Sequence, residues 1–268
     1  MRFLVLCFCS FSLMAFDYQP WFGKLFEFEW RNSYTWRHYN TVDKGYNPTH
    51  YSSTDQWLET GLGISPLAAW DGQIEINFAN TRKHSWSYLS TAFYLRYLLL
   101  DDVAGDPFSW TIGGIVRSAS SHFLDDVSIP YHANLNLEIN TALGKEIDQL
   151  HNWLFRVWGL FGAGIGNRGA PWISALLNIE GNADNKHLLQ VFGEGYFGLG
   201  SREGVNVDRF HSYANLSHQS IDIGALYRYH FNVWGALSAS YAFRVFARNY
   251  PEYAHTVRVE YRLPFSIF

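Results

Sequence analysis

Apolar and polar residues alternate along much of this chain for about ten positions at a stretch, and a period of two is the signature of β-strands with two unlike faces. Phe26, Phe28 and Trp30 alternate with Glu27, Glu29 and Arg31, and Ile74, Ile76 and Phe78 with Gln73, Glu75 and Asn77. Leu135, Leu137 and Ile139 alternate with Asn134, Asn136, Glu138 and Asn140. Ile221, Ile223, Ala225, Tyr227 and Tyr229 form another apolar row, and Leu237, Ala239, Tyr241, Phe243 and Val245 repeat it. Less regular candidates fall at 56–64, 86–98, 109–118, 153–166, 172–179 and 188–200. With the C-terminal segment these make about twelve strands, within a range of roughly 10–14, each long enough to cross a bilayer at a tilt. Beyond the N-terminus no run of about 18 apolar residues exists, which excludes a membrane protein built of helices.

Composition narrows the class further. Aromatic residues make up 18% of the chain and charged residues 16%, which is the reverse of a disordered, charge-rich sequence. Lys and Arg number 20 against 24 Asp and Glu, so the dense positive field that nucleic-acid binding needs is missing. A secreted β-sandwich and a membrane β-barrel remain. Sandwich strands are shorter, about five or six residues, and their outward rows are polar. Here the apolar rows carry aromatics near the strand ends, among them Trp21, Trp30, Trp70, Trp110, Trp172 and Tyr229, as interfacial girdles would. The alternation and the girdles favour the barrel. Asp71-Gly72, Asp101 to Pro107, Gly144-Lys145, Asn167-Arg168-Gly169 and Gly181-Asn182 carry turn chemistry between the strands. With the N-terminus in the periplasm, the longest connections, around 38–55 and 201–217, fall outside.

Both ends fit an exported barrel. Residues 1–15, MRFLVLCFCSFSLMA, combine Arg2, an apolar stretch and a terminal small Ala15, the pattern of a secretory signal peptide, leaving 16–268 as a single barrel domain. Cleavage there removes Cys7 and Cys9, both of the cysteines, so no disulfide holds the domain. At the other end, Thr256 to Phe268 alternates and stops on an aromatic residue. In this the chain resembles the bacterial outer-membrane β-barrel proteins, whose last strand commonly ends in an aromatic residue read by the barrel-assembly machinery. Phe265 and Ile267 occupy the register opposite to the usual one, and Pro264 is expected to interrupt the strand. The resemblance implies a closed antiparallel transmembrane barrel in the cell outer membrane, contacting its lipid, porin-like in kind and without a cofactor.

If the apolar rows face lipid, the opposite rows face the lumen. That places acids such as Glu75, Glu138, Asp222 and Glu260 inside together with arginines such as Arg31, Arg117, Arg228 and Arg244. Acids and arginines are nearly balanced there, and in a narrow barrel they pair, because an unpaired buried charge is costly. This favours a small or gated pore over a wide one, without strong ion selectivity. Arg228, Arg244, Arg258 and Glu260 lie on successive strands and form the candidate functional cluster, with Glu138 and Glu75 as further lumen candidates; bracing of the barrel is the plainer role for each.

Three other patterns invite chemistry. His218-Gln219-Ser220-Ile221-Asp222 spaces His, Ser and Asp two apart, on one face of a strand. Over three residues this resembles the His-x-Ser element of outer-membrane phospholipases and lipid A deacylases, which would make Ser220 the nucleophile and His218 the base. The surrounding residues depart from that pattern, and polar residues at a strand's outer end are the plainer explanation. His122, Asp125 and Asp126 sit in one outer loop and could ligate a cation, although paired acids at a turn are usually just solvated. Gly159 to Gly166 is glycine-rich like a phosphate loop, but it lacks the Lys-Ser/Thr and the helix such a loop needs; bending or close packing explains it better. The expected function is a narrow porin-like channel for small polar solutes, or a structural outer-membrane protein. A lipid hydrolase using Ser220 and His218, or an adhesin acting through its outer loops, stands as the alternative.

Overall fold

A strand whose two faces differ in polarity needs a different medium on each side. In the computed structural model, which describes residues 18–149 and 152–266, every long strand meets this need in the same way. The strands are β1 (Glu27–Tyr39), β2 (Ser53–Leu67), β3 (Trp70–Asn80), β4 (Ser87–Leu100), β5 (Ser109–Ala119) and β6 (Leu135–Gln149). They continue as β7 (Asn152–Gly166), β8 (Trp172–Ala183), β9 (His187–Gly198), β10 (Gln219–His230), β11 (Ala236–Arg248) and β12 (His255–Ser266). Each pairs antiparallel with its chain neighbours, and β1 pairs with both β2 and β12, so the sheet closes into a twelve-strand barrel without an edge.

Register puts the apolar rows outside. Trp30 lies opposite Leu62 of β2 and Leu263 of β12, and its indole nitrogen donates to Thr60 at 3.2 Å on the same outer face. Ile139 is 73% exposed and Leu189 65%, a degree of apolar exposure that suits hydrocarbon rather than water. The alternate residues, including Glu29, Arg31, Asp71, Arg96 and Arg156, are buried on the inner face.

The short connections 68–69, 101–108, 184–186 and 231–235 share one end with the chain's start and finish, here the turn end. The long connections 40–52, 120–134 and 199–218 gather at the opposite, loop end; 120–134 is longer than 40–52, the connection expected around 38–55 to be among the two longest. Two small pairings tie these loops together, Thr41–Val42 with Pro251–Glu252 and Gly45–Tyr46 with Val205–Asn206. Tyr39, Val42, Val127, Val207, Tyr213 and Tyr250 give the assembled loops an apolar core of their own. At the turn end, residues 18–22 fold back into the barrel. Trp21 packs on Ala142, Trp158 and Leu160 and donates its indole N–H to Asp102 at 2.8 Å, while Arg96 donates to the Gln19 carbonyl at 2.9 Å.

Several expected turns are strand. Asp71-Gly72 belongs to β3, because Asp71 is the buried partner of Arg96, whose Nε and Nη2 donate to it at 3.0 and 2.8 Å. Gly144-Lys145 lies inside β6: the glycine is needed because a Cβ there would come within 2.7 Å of Pro20 and Trp21, not because the chain reverses. Gly181-Asn182 continues β8 in register with Leu189 and Leu188. Pro264 does not break β12, which runs on to Ser266; it lies past Arg262, the last rung shared with β11. Among the expected girdle aromatics, Trp21 and Trp172 point inward instead, the first because it precedes β1 and the second because it shares the inner-face parity of Asn178 and Glu180. The leader at 1–15 and the terminal Phe268 lie outside the described residues.

The Arg96–Asp71 pair yields a stability prediction. Arg96→Leu strands a fully buried carboxylate and is expected to cost about 3–5 kcal/mol, whereas Arg96→Leu combined with Asp71→Leu costs less than the single change. Urea titration of the folded barrel in lipid vesicles, followed by the gel shift between folded and unfolded forms, measures both.

Candidate functional site

The inner faces enclose a cavity of about 540 Å³ along the barrel axis. One wall, from β12 through β1 to β5, is a continuous ion-pair network. Arg31 lies 2.9 Å from Glu59, 3.4 Å from Glu75 and 3.8 Å from Glu260. Arg258 bridges Glu59 and Glu260 at 2.9 and 2.8 Å, Arg262 also pairs with Glu260, and Arg117 reaches Glu75 at 3.2 Å. Five strands thus contribute charges that their neighbours neutralise, the arrangement in which buried ions are tolerated. Glu29, 3.9 Å from Arg262, brings the wall to four acids against four arginines, so it is polar without a net charge.

The candidate cluster is only partly drawn together. Arg258 and Glu260 are in contact, and Glu75 belongs to the same network through Arg31 and Arg117. Arg244 forms a two-pronged pair with Asp222, at 2.7 and 2.8 Å, and lies over the Tyr250 ring at 4.5 Å. Arg228 is buried nearer the turn end, on a rung with Ser238 and Glu260. Glu138 stands on the other wall, where it accepts the indole N–H of Trp172 at 3.0 Å.

Glycine makes the room for that contact. A Cβ on Gly162 would stand 2.7 Å from a Glu138 carboxylate oxygen, and one on Gly164 would run into the Trp172 ring. The glycine-rich stretch of β7 therefore serves close packing on the inner face, seating Glu138 and Trp172, which border a recess of about 240 Å³ beside the main cavity.

The loop end is closed down by 120–134, which drops into the mouth. Ser128 anchors it: its carbonyl accepts from Arg37 at 2.5 Å and Tyr250 at 3.3 Å, and its hydroxyl meets the Tyr39 hydroxyl at 2.7 Å. The Val127 carbonyl accepts from Tyr213 at 2.7 Å. Ile129, Pro130 and Tyr131 then roof the cavity. The apolar run after Asp126 was the sequence signal for this inward turn, since a loop left in water has no use for it.

The candidate chemistries do not assemble. Ser220 faces the cavity, but Asp222 is engaged by Arg244, and neither ring nitrogen of His218 has a hydrogen-bond partner, so no Ser–His–Asp relay forms. His218 instead packs against the rings of Tyr213, Tyr196, Tyr250 and His132, with centroids 4.1, 4.6, 5.2 and 5.1 Å away. Asp125 binds Lys83 at 2.8 Å and His84 at 2.7 Å; Asp126 accepts from the hydroxyl of Thr81 and the backbone of Ser128; the His122 ring packs at a tilt against His84, with centroids 4.0 Å apart. Each carboxylate of the expected metal site is already used in holding the loop.

No protein-family model matches the sequence, and no curated protein is similar to it in sequence. Solved structures are similar in fold. An outer membrane channel from Pseudomonas putida F1 superposes with a TM-score of 0.64 over 95% of this chain and 100% of its own, at 10% identity. The NanC porin gives 0.56 over 88% and 98% at 8% identity. The KdgM porin, solved in complex with oligogalacturonate, gives 0.53 over 87% and 99% at 11% identity. At such identities the likeness is one of fold alone, a closed barrel like those of the outer membrane channel and the porins.

The buried histidines of the mouth yield a pH prediction. Burial holds the His132 imidazole down to about 4 and His218 well below its ordinary 6.5, so both are neutral in the folded cap. A base whose folded value is depressed supports folding fully above about pH 6.5 and loses that support as pH falls towards the folded value; for His132 alone the loss at pH 5 is about 2 kcal/mol. Protease cleavage within 120–134 and 199–218 is therefore expected to accelerate between pH 7.5 and pH 5, and His132→Phe with His218→Phe is expected to flatten that dependence.

Proposed function

We propose that the protein is a narrow, passive channel of the bacterial outer membrane that admits small polar solutes. The observation that carries this reading is the cavity of about 540 Å³ inside a closed barrel, lined by charged and hydroxyl groups and roofed by an inward-folded loop. The likeness in fold to an outer membrane channel and to porins supports it. On this reading the loop end faces the outside and the turn end the periplasm. The exposed Trp30, Trp70 and Trp110 sit at headgroup depth in outer-membrane lipid, the leader directs export, and the C-terminal segment, whose last residue is Phe268, is presented to the assembly machinery.

Constriction at both ends limits what passes. Trp21 and its neighbours fill part of the turn end, and Ile129 to Tyr131 narrow the loop end. With the network wall neutral, selection rests on size more than on charge. The outer loops pack around a shared apolar core, which favours a cap over the pore and not an adhesive surface.

Conductance of the refolded chain in a planar bilayer, with the gel shift as the control for folding, tests this. Small discrete steps are expected, and Trp21→Ala is expected to enlarge them severalfold by emptying the turn end. A demonstrably folded barrel that passes no current overturns the channel.

A further inference from the structure

Among the charged groups of the lumen, two stand apart. Glu59, Glu75 and Glu260 share arginines, Asp55 pairs with Arg37 at 3.1 Å, Asp71 with Arg96, Glu146 with Arg156 and Asp222 with Arg244. Glu138 and Glu194 make no ion pair with any cation among the described residues, yet both line the recess of about 240 Å³ beside the main cavity. Arg117 is the one cation that borders this recess, and its guanidinium is already engaged: it pairs with Glu75 and donates to Ser90 and Tyr131 at 3.1 Å and to Tyr94 at 2.7 Å. The recess thus carries two carboxylates that no cation among the described residues contacts at ion-pair distance.

The remaining wall is aromatic. Tyr18, Tyr131, Trp172 and Tyr196 border the recess; the Trp172 and Tyr196 rings lie nearly parallel, 18° apart, with centroids 6.3 Å from each other. Trp172 also fixes the Glu138 carboxylate through its indole N–H, so that ring and acid are held as a unit. Carboxylates beside aromatic faces in a confined space are the features that recognise an ammonium group, by charge and by cation–π attraction. A volume below the roughly 300–1,000 Å³ of pockets that take drug-sized molecules restricts the occupant to a small one.

We propose that this recess is a binding site for a small organic ammonium ion bearing one apolar or aromatic group, with Glu194 and Glu138 as its counter-charges and Trp172 and Tyr196 as its walls. The site rests on the channel reading insofar as the ligand enters through the lumen, but its occupancy does not require conduction. Gly162 and Gly164 are positioning residues: they leave the room that Glu138 and Trp172 occupy, and a side chain at either would displace them.

Binding and conduction are measured separately to keep the two readings apart. The folded full-length barrel in detergent is titrated with 2-phenylethylammonium and with 3-phenylpropionate, the carboxylate of matching shape, by calorimetry. Saturable binding of the ammonium, absent for the carboxylate, is expected, with affinity falling about tenfold or more in Glu194→Gln and Glu138→Gln. Glu252→Gln, in the connection at the loop end, is expected to leave it unchanged. Because Glu138→Gln keeps an acceptor for Trp172, loss there reports charge and not collapse of the recess. Equal binding of the carboxylate, affinity untouched by both glutamine variants, or no binding to a folded barrel that still conducts each overturns the site. Only loss of conductance bears on the channel.

Discussion

The hydrogen-bonded seam between β12 and β1 is the constraint from which the rest follows. Once Glu27 through His38 pair with Ser266 through His255, the sheet has no edge, and each spanning strand is hydrogen-bonded to a neighbour on both sides. Closure also separates two media. Apolar side chains meet lipid on one side, and every charged side chain on the strands' alternate positions is confined to a small interior. Confinement is what forces the pairing: Arg31 cannot leave the lumen, so it sits among three glutamates.

The same confinement accounts for how the ends are finished. A short barrel with a polar lumen still needs something to set its aperture, and the chain supplies it twice from segments that are not strands. Residues 18–22 enter from the turn end and are received by Arg96, Asp102 and the bare backbone of Gly144. Residues 127–131 enter from the loop end and are received by Arg37, Tyr39, Tyr213 and Tyr250. Arg37, Tyr39, Arg96 and Gly144 receive them from the inner faces of strands, and Asp102, Tyr213 and Tyr250 from the connections at the two ends. Local identity and aperture are therefore coupled.

Much of this was legible from residue order. Period-two alternation located the strands and gave the facing of the lumen charges, because in a strand the side of a residue follows from parity alone. What parity does not carry is purpose. Asp71-Gly72 has the chemistry of a turn, and only the buried Arg96 opposite explains why it is strand. Trp21 and Trp172 resemble girdle residues in type, but one precedes the first strand and the other sits on inward parity, a distinction that depends on where β8 begins. The glycines of β7 announced close packing without naming the partner, since Glu138 and Trp172 come from the strands on either side. The inward fold of 120–134 depends on contacts with four distant segments, and no local pattern encodes those beyond its apolar residues.

The central claim is that the alternate face of each strand lines a water-filled interior while its neighbours meet lipid. Residues 18–268 contain no cysteine, so single cysteines report cleanly. Ser240 faces the cavity and Ala239 the exterior, on adjacent rungs opposite Arg258 and Val259. In lipid vesicles, Ser240→Cys is predicted to react with a small charged methanethiosulfonate reagent and Ala239→Cys to resist it. Equal reactivity, or the reverse order, would contradict the account.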